Sequence, residues 1–200
     1  MAIQIFSLIL YIAFIVFLKF STKEKTLKNG RNVLIFLSAA ALILRVIISY
    51  VSFGYETDLN CFKSWALQAA SVLPWDFYDS IWCDYPAGYL YVLAPLGFIG
   101  NIGINAEVFN ALIKLPACLC DILSGVMIYK MGKEKIGEEL SLAAAAIYLF
   151  SPATIVNSAL WGQVDSVYTL LLITSLYFLI SEKYYKSAAI FGLCITFKLQ

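Results

Sequence analysis

The chain of 200 residues contains no histidine. Imidazole is the commonest general base near neutral pH and the commonest metal ligand, so any such chemistry must fall to other side chains. Charge is scarce as well: 14% of residues are Asp, Glu, Lys or Arg, against 62% hydrophobic. A soluble domain carries about 25% charged and about 45–50% apolar residues, which excludes a water-soluble core here. The net charge of +1 gives no global attraction for nucleic acid. The five cysteines, Cys61, Cys83, Cys118, Cys120 and Cys194, form no Cys-x-x-Cys pair, which argues against zinc. Cys118 and Cys120 lie inside an apolar run and read as small packing residues. Gly-rich phosphate loops, GxSxG and HExxH are missing. So is Asp-x-Asp; Glu56-Thr57-Asp58 is only Glu-x-Asp. No nucleotide, cofactor or bound metal is therefore expected.

What is present is continuous hydrophobicity. The apolar runs do not alternate, which disfavours a β-barrel. A membrane-spanning helix needs about 20 apolar residues. Candidate segments are 2–18, 33–52, 86–101, 109–129, 140–155, 167–180 and 187–197. The expected fold is all-α: a polytopic membrane helix bundle forming a single transmembrane domain over 1–200. A long outer loop, 53–85, carries juxtamembrane helices. Residues 1–18 lack a basic start and a small-residue cleavage site, so they read as a retained helix rather than a signal peptide.

Lysine and arginine in the short loops set the orientation. The stretch KFSTKEKTLKNGR (19–31) has five basic residues and one acid, and is placed in the cytoplasm. Loop 53–85 holds Glu56, Asp58, Asp76, Asp79 and Asp84 against Lys63, and is placed outside. KMGKEKIGEE (130–139) and SEKYYKS (181–187) are then cytoplasmic. Segment 151–165, with Gln163 and Asp165, comes to lie on the side of the acidic loop. This parity holds only if 86–101 does not cross the membrane; otherwise 130–139 lies outside. Pro86, Pro95 and the neighbouring glycines favour a broken, re-entrant or juxtamembrane element.

Within the outer loop, DLNCFKSWALQAASV (58–72) spaces Leu59, Phe62, Trp65 and Ala69 by three and four residues. That spacing predicts an amphipathic helix on the membrane surface. Asp58 stands where an N-cap would. It also stands just past a membrane helix, where a carboxylate can accept a proton from an attacking hydroxyl. The aromatic run through Trp75, Trp82, Tyr85, Tyr89 and Tyr91 suits a membrane interface and a sugar site equally. A disulfide between Cys61 and Cys83 would stiffen this loop. Arg45, Lys114 and Lys198 are cations within apolar segments, and such groups usually pair or serve a site. Arg45 has Asp121, Asp165 or a lipid phosphate as candidate partners. Lys114 fits a phosphate contact or snorkelling. Arg45, Asp121 and Lys198 would also suit a relay in a small transporter or flippase-like protein, although no inverted repeat supports that. A structural or inactive relic is the remaining alternative.

An acidic residue after an early membrane helix is followed in order by FKSWA, YPAGYLYVLAPLG, KLPACLCDILSGVMIYKMGKEK and FSPATIVNSALWGQVDS. This series resembles the C-type glycosyltransferase superfamily. It is most similar to bacterial relatives of the second mannosyltransferase of GPI-anchor assembly, and covers residues 45–200. The resemblance implies an integral membrane mannosyltransferase-like enzyme of the cell membrane, with its site facing outside. It implies a polyprenyl-phosphate-sugar donor, a lipid, glycan or protein acceptor, and inversion at the anomeric carbon. Asp58 matches the family's catalytic acid. Tyr85-Pro86-Ala87 matches a Tyr-Pro-Pro element that here has lost its second proline. Trp161, Gln163 and Asp165 match a WGQxD element lining the cavity, and Lys198 and Gln200 match a Lys-x-Gln element. Glu56, Arg45, Tyr85 and Lys114 complete the expected substrate-binding set. Family members are longer, so the resemblance also implies the N-terminal part of a longer enzyme.

Overall fold

The computed structural model describes residues 30–198, and all secondary structure among them is helical. The expected helix 2–18, nearly all of the basic stretch 19–31, and Gln200 lie outside the described residues. Helix α1 (Gly30–Val51) turns Leu34, Leu37, Ala41, Arg45 and Ile48 inward. It leaves Phe36, Ile43 and Ile47 exposed. Inward positions recur at three and four residues, yet the outward face is equally apolar. That is the pattern of a helix packed on one side and in lipid on the other.

Three short helices follow: α2 (Glu56–Ala69), α3 (Phe77–Ser80) and α4 (Ala87–Asn101). The long helix α5 (Ala106–Ile136) starts at Asn105, whose side chain accepts from the backbone N–H of Glu107 at 2.8 Å and of Val108 at 3.4 Å. That satisfies orphan donors of its first turn. The lysines and glutamate of KMGKEK are good helix formers, so this stretch, expected as loop, extends α5. The turn is Gly137 alone, at φ +84°. Helix α6 (Glu138–Leu149) returns, continues through a one-turn α7 (Pro152–Ile155), and ends in a π-helical stretch, Val156–Trp161. Helices α8 (Asp165–Ile180) and α9 (Tyr184–Ile195) complete the described chain.

Among the described residues three segments are long and apolar enough to cross a membrane: Gly30–Val51, Ala106–Ile136 and Glu138–Trp161. Contacts fix how they alternate. At one end Tyr129 of α5 donates to Glu138 of α6 at 2.6 Å, and Lys130 lies 4.8 Å over the Tyr177 ring of α8. At the other, Lys114 of α5 donates to Ser52, and Tyr55 N–H donates to Trp161 O at 2.9 Å. So α5 runs antiparallel to α1, and the segment ending at Trp161 runs back toward Asp58.

Helix α4 stays at the Asp58 end. It packs on α2 through Phe62 and Tyr89, with ring centroids 5.8 Å apart. Gly88 N–H donates to Thr196 O at 2.9 Å. The apolar face expected to lie on the membrane is thus covered by protein: Leu59, Phe62, Trp65 and Ala66 are buried in one cluster with Tyr89, Leu90 and Leu93. This arrangement agrees with the non-crossing reading of 86–101. Single cysteines at Asn60, Asn101 and Glu134, all exposed, test it in a cysteine-free background. An impermeant maleimide is expected to label the first two from one face and the third from the other. Asn101 labelling with Glu134 would make α4 a crossing helix.

Candidate active site

Asp58 sits in the first turn of α2, whose N-cap is Tyr55, so the capping role expected for it is not the one it takes. Its carboxylate instead receives two donors from more than 100 residues further on. Trp161 Nε1–H donates to Asp58 Oδ2 at 3.1 Å, and Gln163 Nε2 donates to the same oxygen. Among the described residues no side chain donates to Oδ1.

Local structure explains why Trp161 and Gln163 arrive together. The backbone N–H groups of Gly162 and Gln163 both donate to Asn157 O, at 3.1 and 3.0 Å. This closes the wide turn of the π stretch, a form that occurs as short bulges in helices. Gly162 then takes φ +93°, a left-handed conformation open to glycine. The chain reverses, and Asp165 begins α8. There its charge complements the positive end of the helix dipole.

Asp165 carries its own partners. Asn157 Nδ2 donates to Oδ2 at 3.2 Å, and Lys198 Nζ forms an ion pair with Oδ1. Lys198 also lies 5.9 Å over the ring of Tyr85. Tyr85 stands between the acids: burial first, then the charges of Asp165, Asp58 and Asp84, push its phenol up from the ordinary value. It remains a neutral donor at neutral pH. Tyr78 O–H donates to Tyr85 O at 2.9 Å and fixes the segment. Phe62, Trp65 and Tyr89 pack around the Tyr85 ring at 5.3–6.0 Å between centroids. The end of the bundle thus presents two carboxylates, an amide, an indole, a phenol and an ammonium, with Glu56 exposed beside them. Cys61 and Cys83 are both free thiols.

Two members of the expected substrate-binding set are elsewhere. Arg45 is fully buried. Its Nε–H donates to Asp121 at 3.1 Å, and its terminal nitrogens donate to Leu149 O at 2.8 Å and Thr154 Oγ1 at 3.1 Å. Ser158 and Tyr148 donate to Asp121 as well, at 2.6 and 3.3 Å. Lys114 is also fully buried. Its ammonium donates to Ser52 O at 2.7 Å, Ser52 Oγ at 2.9 Å and Ser49 O at 3.4 Å. Neither cation faces the acidic group. The relay of Arg45, Asp121 and Lys198 that a transporter would need separates into two ion pairs, because Lys198 takes Asp165. Asn157 was not singled out from sequence. A polar residue between Pro152 and Gly162 in an apolar run was the available signal.

An apolar groove of about 450 Å³ opens between α1 and α5 at this end, lined by Val46, Ile47, Tyr50, Val108, Leu112 and Leu115 among others.

Residues 105–199 match the family described as dolichyl-phosphate-mannose-protein mannosyltransferase. The match bears out the resemblance to the C-type polyprenyl-phosphate-sugar glycosyltransferase superfamily, supports a membrane mannosyltransferase-like function at family level, and with the three long apolar segments supports an integral membrane protein. It runs from the N-cap of α5 past Lys198, so Gln163, Asp165 and Lys198 lie inside it and Asp58 and Tyr85 outside. No curated protein and no solved structure matches the chain.

Proposed function

We propose that this protein transfers a mannose-like hexose from a polyprenyl-phosphate-sugar to an acceptor hydroxyl on the non-cytoplasmic face, with inversion. The observation that carries this reading is the convergence of Trp161 and Gln163 on Asp58 Oδ2. Two N–H donors hold one oxygen and so aim the carboxylate, leaving Oδ1 to take a proton. Aiming of this kind reduces the reorganisation needed during reaction.

In the step, the acceptor oxygen forms a bond to the anomeric carbon as the bond from that carbon to the phosphate oxygen breaks. The electron pair leaves with the phosphate. The acceptor proton passes to Asp58. Single displacement inverts the centre. Asp165, Gln163 and Tyr85 supply partners for sugar hydroxyls, and the aromatic faces of Trp161 and Tyr85 suit the C–H face of a hexose. Lys198, held by Asp165 at the rim, is the cation for the departing phosphate, and Glu56 is exposed beside Asp58. The groove between α1 and α5 offers apolar walls for the polyprenyl chain. The lysine-poor, acidic character of this end supports placing it away from the cytosol.

The test uses membranes containing the protein, supplied in parallel with labelled polyprenyl-phosphate-mannose and labelled GDP-mannose. Incorporation into product is expected from the lipid-linked donor alone. Incorporation from the nucleotide sugar in the absence of lipid-linked donor would overturn the reading.

A further inference from the structure

Lys114 is a fully buried cation that the transfer step does not use. Its surroundings are specific. The ammonium closes on the carbonyls of Ser49, in the last turn of α1, and of Ser52, just past it, and on the Ser52 hydroxyl; carbonyls at a helix end lack intrahelical partners. Ser52 Oγ in turn lies 3.2 Å from Ala159 O in the π stretch. The methylene stem occupies the space between two glycines of positive φ, Gly54 at +96° and Gly162 at +93°. A Cβ added at Gly54 would lie 3.1 Å from Lys114 Cε and 2.8 Å from Trp161 O; one added at Gly162 would lie 3.3 Å from Lys114 Cγ. Gly54 begins the arm that carries Asp58. Gly162 sits between Trp161 and Gln163. The two arms are also joined directly by the Tyr55 N–H to Trp161 O bond, by the Tyr55 and Trp161 rings at 5.1 Å between centroids, and by the Asp58 contacts themselves.

We propose that Lys114 is a positioning residue. Its ammonium fixes the end of α1, and its stem sets the separation of the Gly54 and Gly162 arms, so that Trp161 and Gln163 meet Asp58. It acts through these arms and never touches the donor phosphate. The role for catalysis rests on the reading of Asp58 as the base; the geometric role does not.

Disulfide trapping tests the geometry without activity. Cysteines replace Asp58 and Gln163 in a background whose five native cysteines are alanine. Bond formation in membranes is timed under copper–phenanthroline with Lys114 intact, with Lys114→Met and with Ser52→Ala. Loss of charged hydrogen bonds is expected to slow trapping about tenfold in Lys114→Met. Ser52→Ala, which removes one acceptor and keeps the cation, should slow it several-fold. It decides the matter if Lys114→Met fails to accumulate. Unchanged trapping in both variants overturns the proposal. In the native-cysteine protein, Lys114→Met should lower kcat for sugar transfer while the donor KM holds. A raised donor KM with normal trapping would make Lys114 a phosphate contact and overturn the proposal. Absence of transfer by the unsubstituted protein would count against Asp58 as base, with the trapping result still judging Lys114.

Discussion

Asp58→Asn is expected to reduce sugar transfer by roughly 10²–10⁴-fold, the range that a positioned general base contributes. The substitution is nearly isosteric. The amide oxygen can still accept from Trp161 Nε1 and Gln163 Nε2, so the arms that meet at Oδ2 keep their partners. What is lost is the capacity to take a proton from the acceptor hydroxyl. Asp58 lies at a half-exposed helix start, outside the buried core, so the variant should accumulate and melt like the unsubstituted protein. Initial rates from the lipid-linked donor, with thermal stability measured alongside, separate the two effects. Undiminished transfer would remove Asp58 from the mechanism. A loss of rate matched by a loss of fold would make it a structural residue.

The largest expected effect on stability comes from Arg45 and Asp121. Both are almost completely buried, and the pair joins α1 to α5. Arg45 reaches across to Leu149 O and Thr154 Oγ1, while Ser158 and Tyr148 close on Asp121. Arg45→Met would leave a carboxylate inside the bundle with only neutral donors. Breaking one side of a buried pair costs about 3–5 kcal/mol. At about 2–4 °C per kcal/mol for a chain of this size, melting should fall by roughly 6–20 °C. Replacing both partners, Arg45→Met with Asp121→Leu, should recover much of that, because no uncompensated charge remains. A detergent-solubilised thermal shift series reads both. If the double variant is as unstable as the single one, the network's neutral hydrogen bonds matter more than its charge balance.

Much of this architecture was legible in the residues. Lengths and continuity of apolar runs located α1, α5, α6, α8 and α9, and the contact of Lys130 with Tyr177 brings together the 130–139 and 181–187 ends that loop charge had grouped. The grouping of Asp58 with Gln163 came from motif order and not from periodicity. Nothing in a 3.6-residue pattern connects positions that far apart. The π stretch was not legible, and segment 140–155 therefore fell short of Trp161. A π turn has no strong composition of its own and is set by its surroundings. Here Ser49 and Ser52 hydroxyls lie beside Ala159 O. Small polar residues such as Ser52, Thr154 and Ser158 look like packing residues in an apolar run, although they are the partners that hold Lys114, Arg45 and Asp121 inside the bundle. Without those partners in view, the sequence leaves Arg45 with Asp121, Asp165 or a lipid phosphate and Lys114 with a phosphate or snorkelling; of these the structure forms the pair with Asp121.

The contact between Asp58 and Gln163 spans 105 positions of the chain. Ribosomes add about 5–20 residues per second, so roughly 5–20 s of synthesis separate the emergence of the two. During that interval the acid of α2 has no Gln163 to meet, while α3, α4 and α5 supply the side chains that cover its apolar face. A chaperone or lipid headgroup that occupies Asp58 in that window would delay closure, and stalling translation between α5 and α8 should reveal the half-built shelf as a protease-sensitive intermediate.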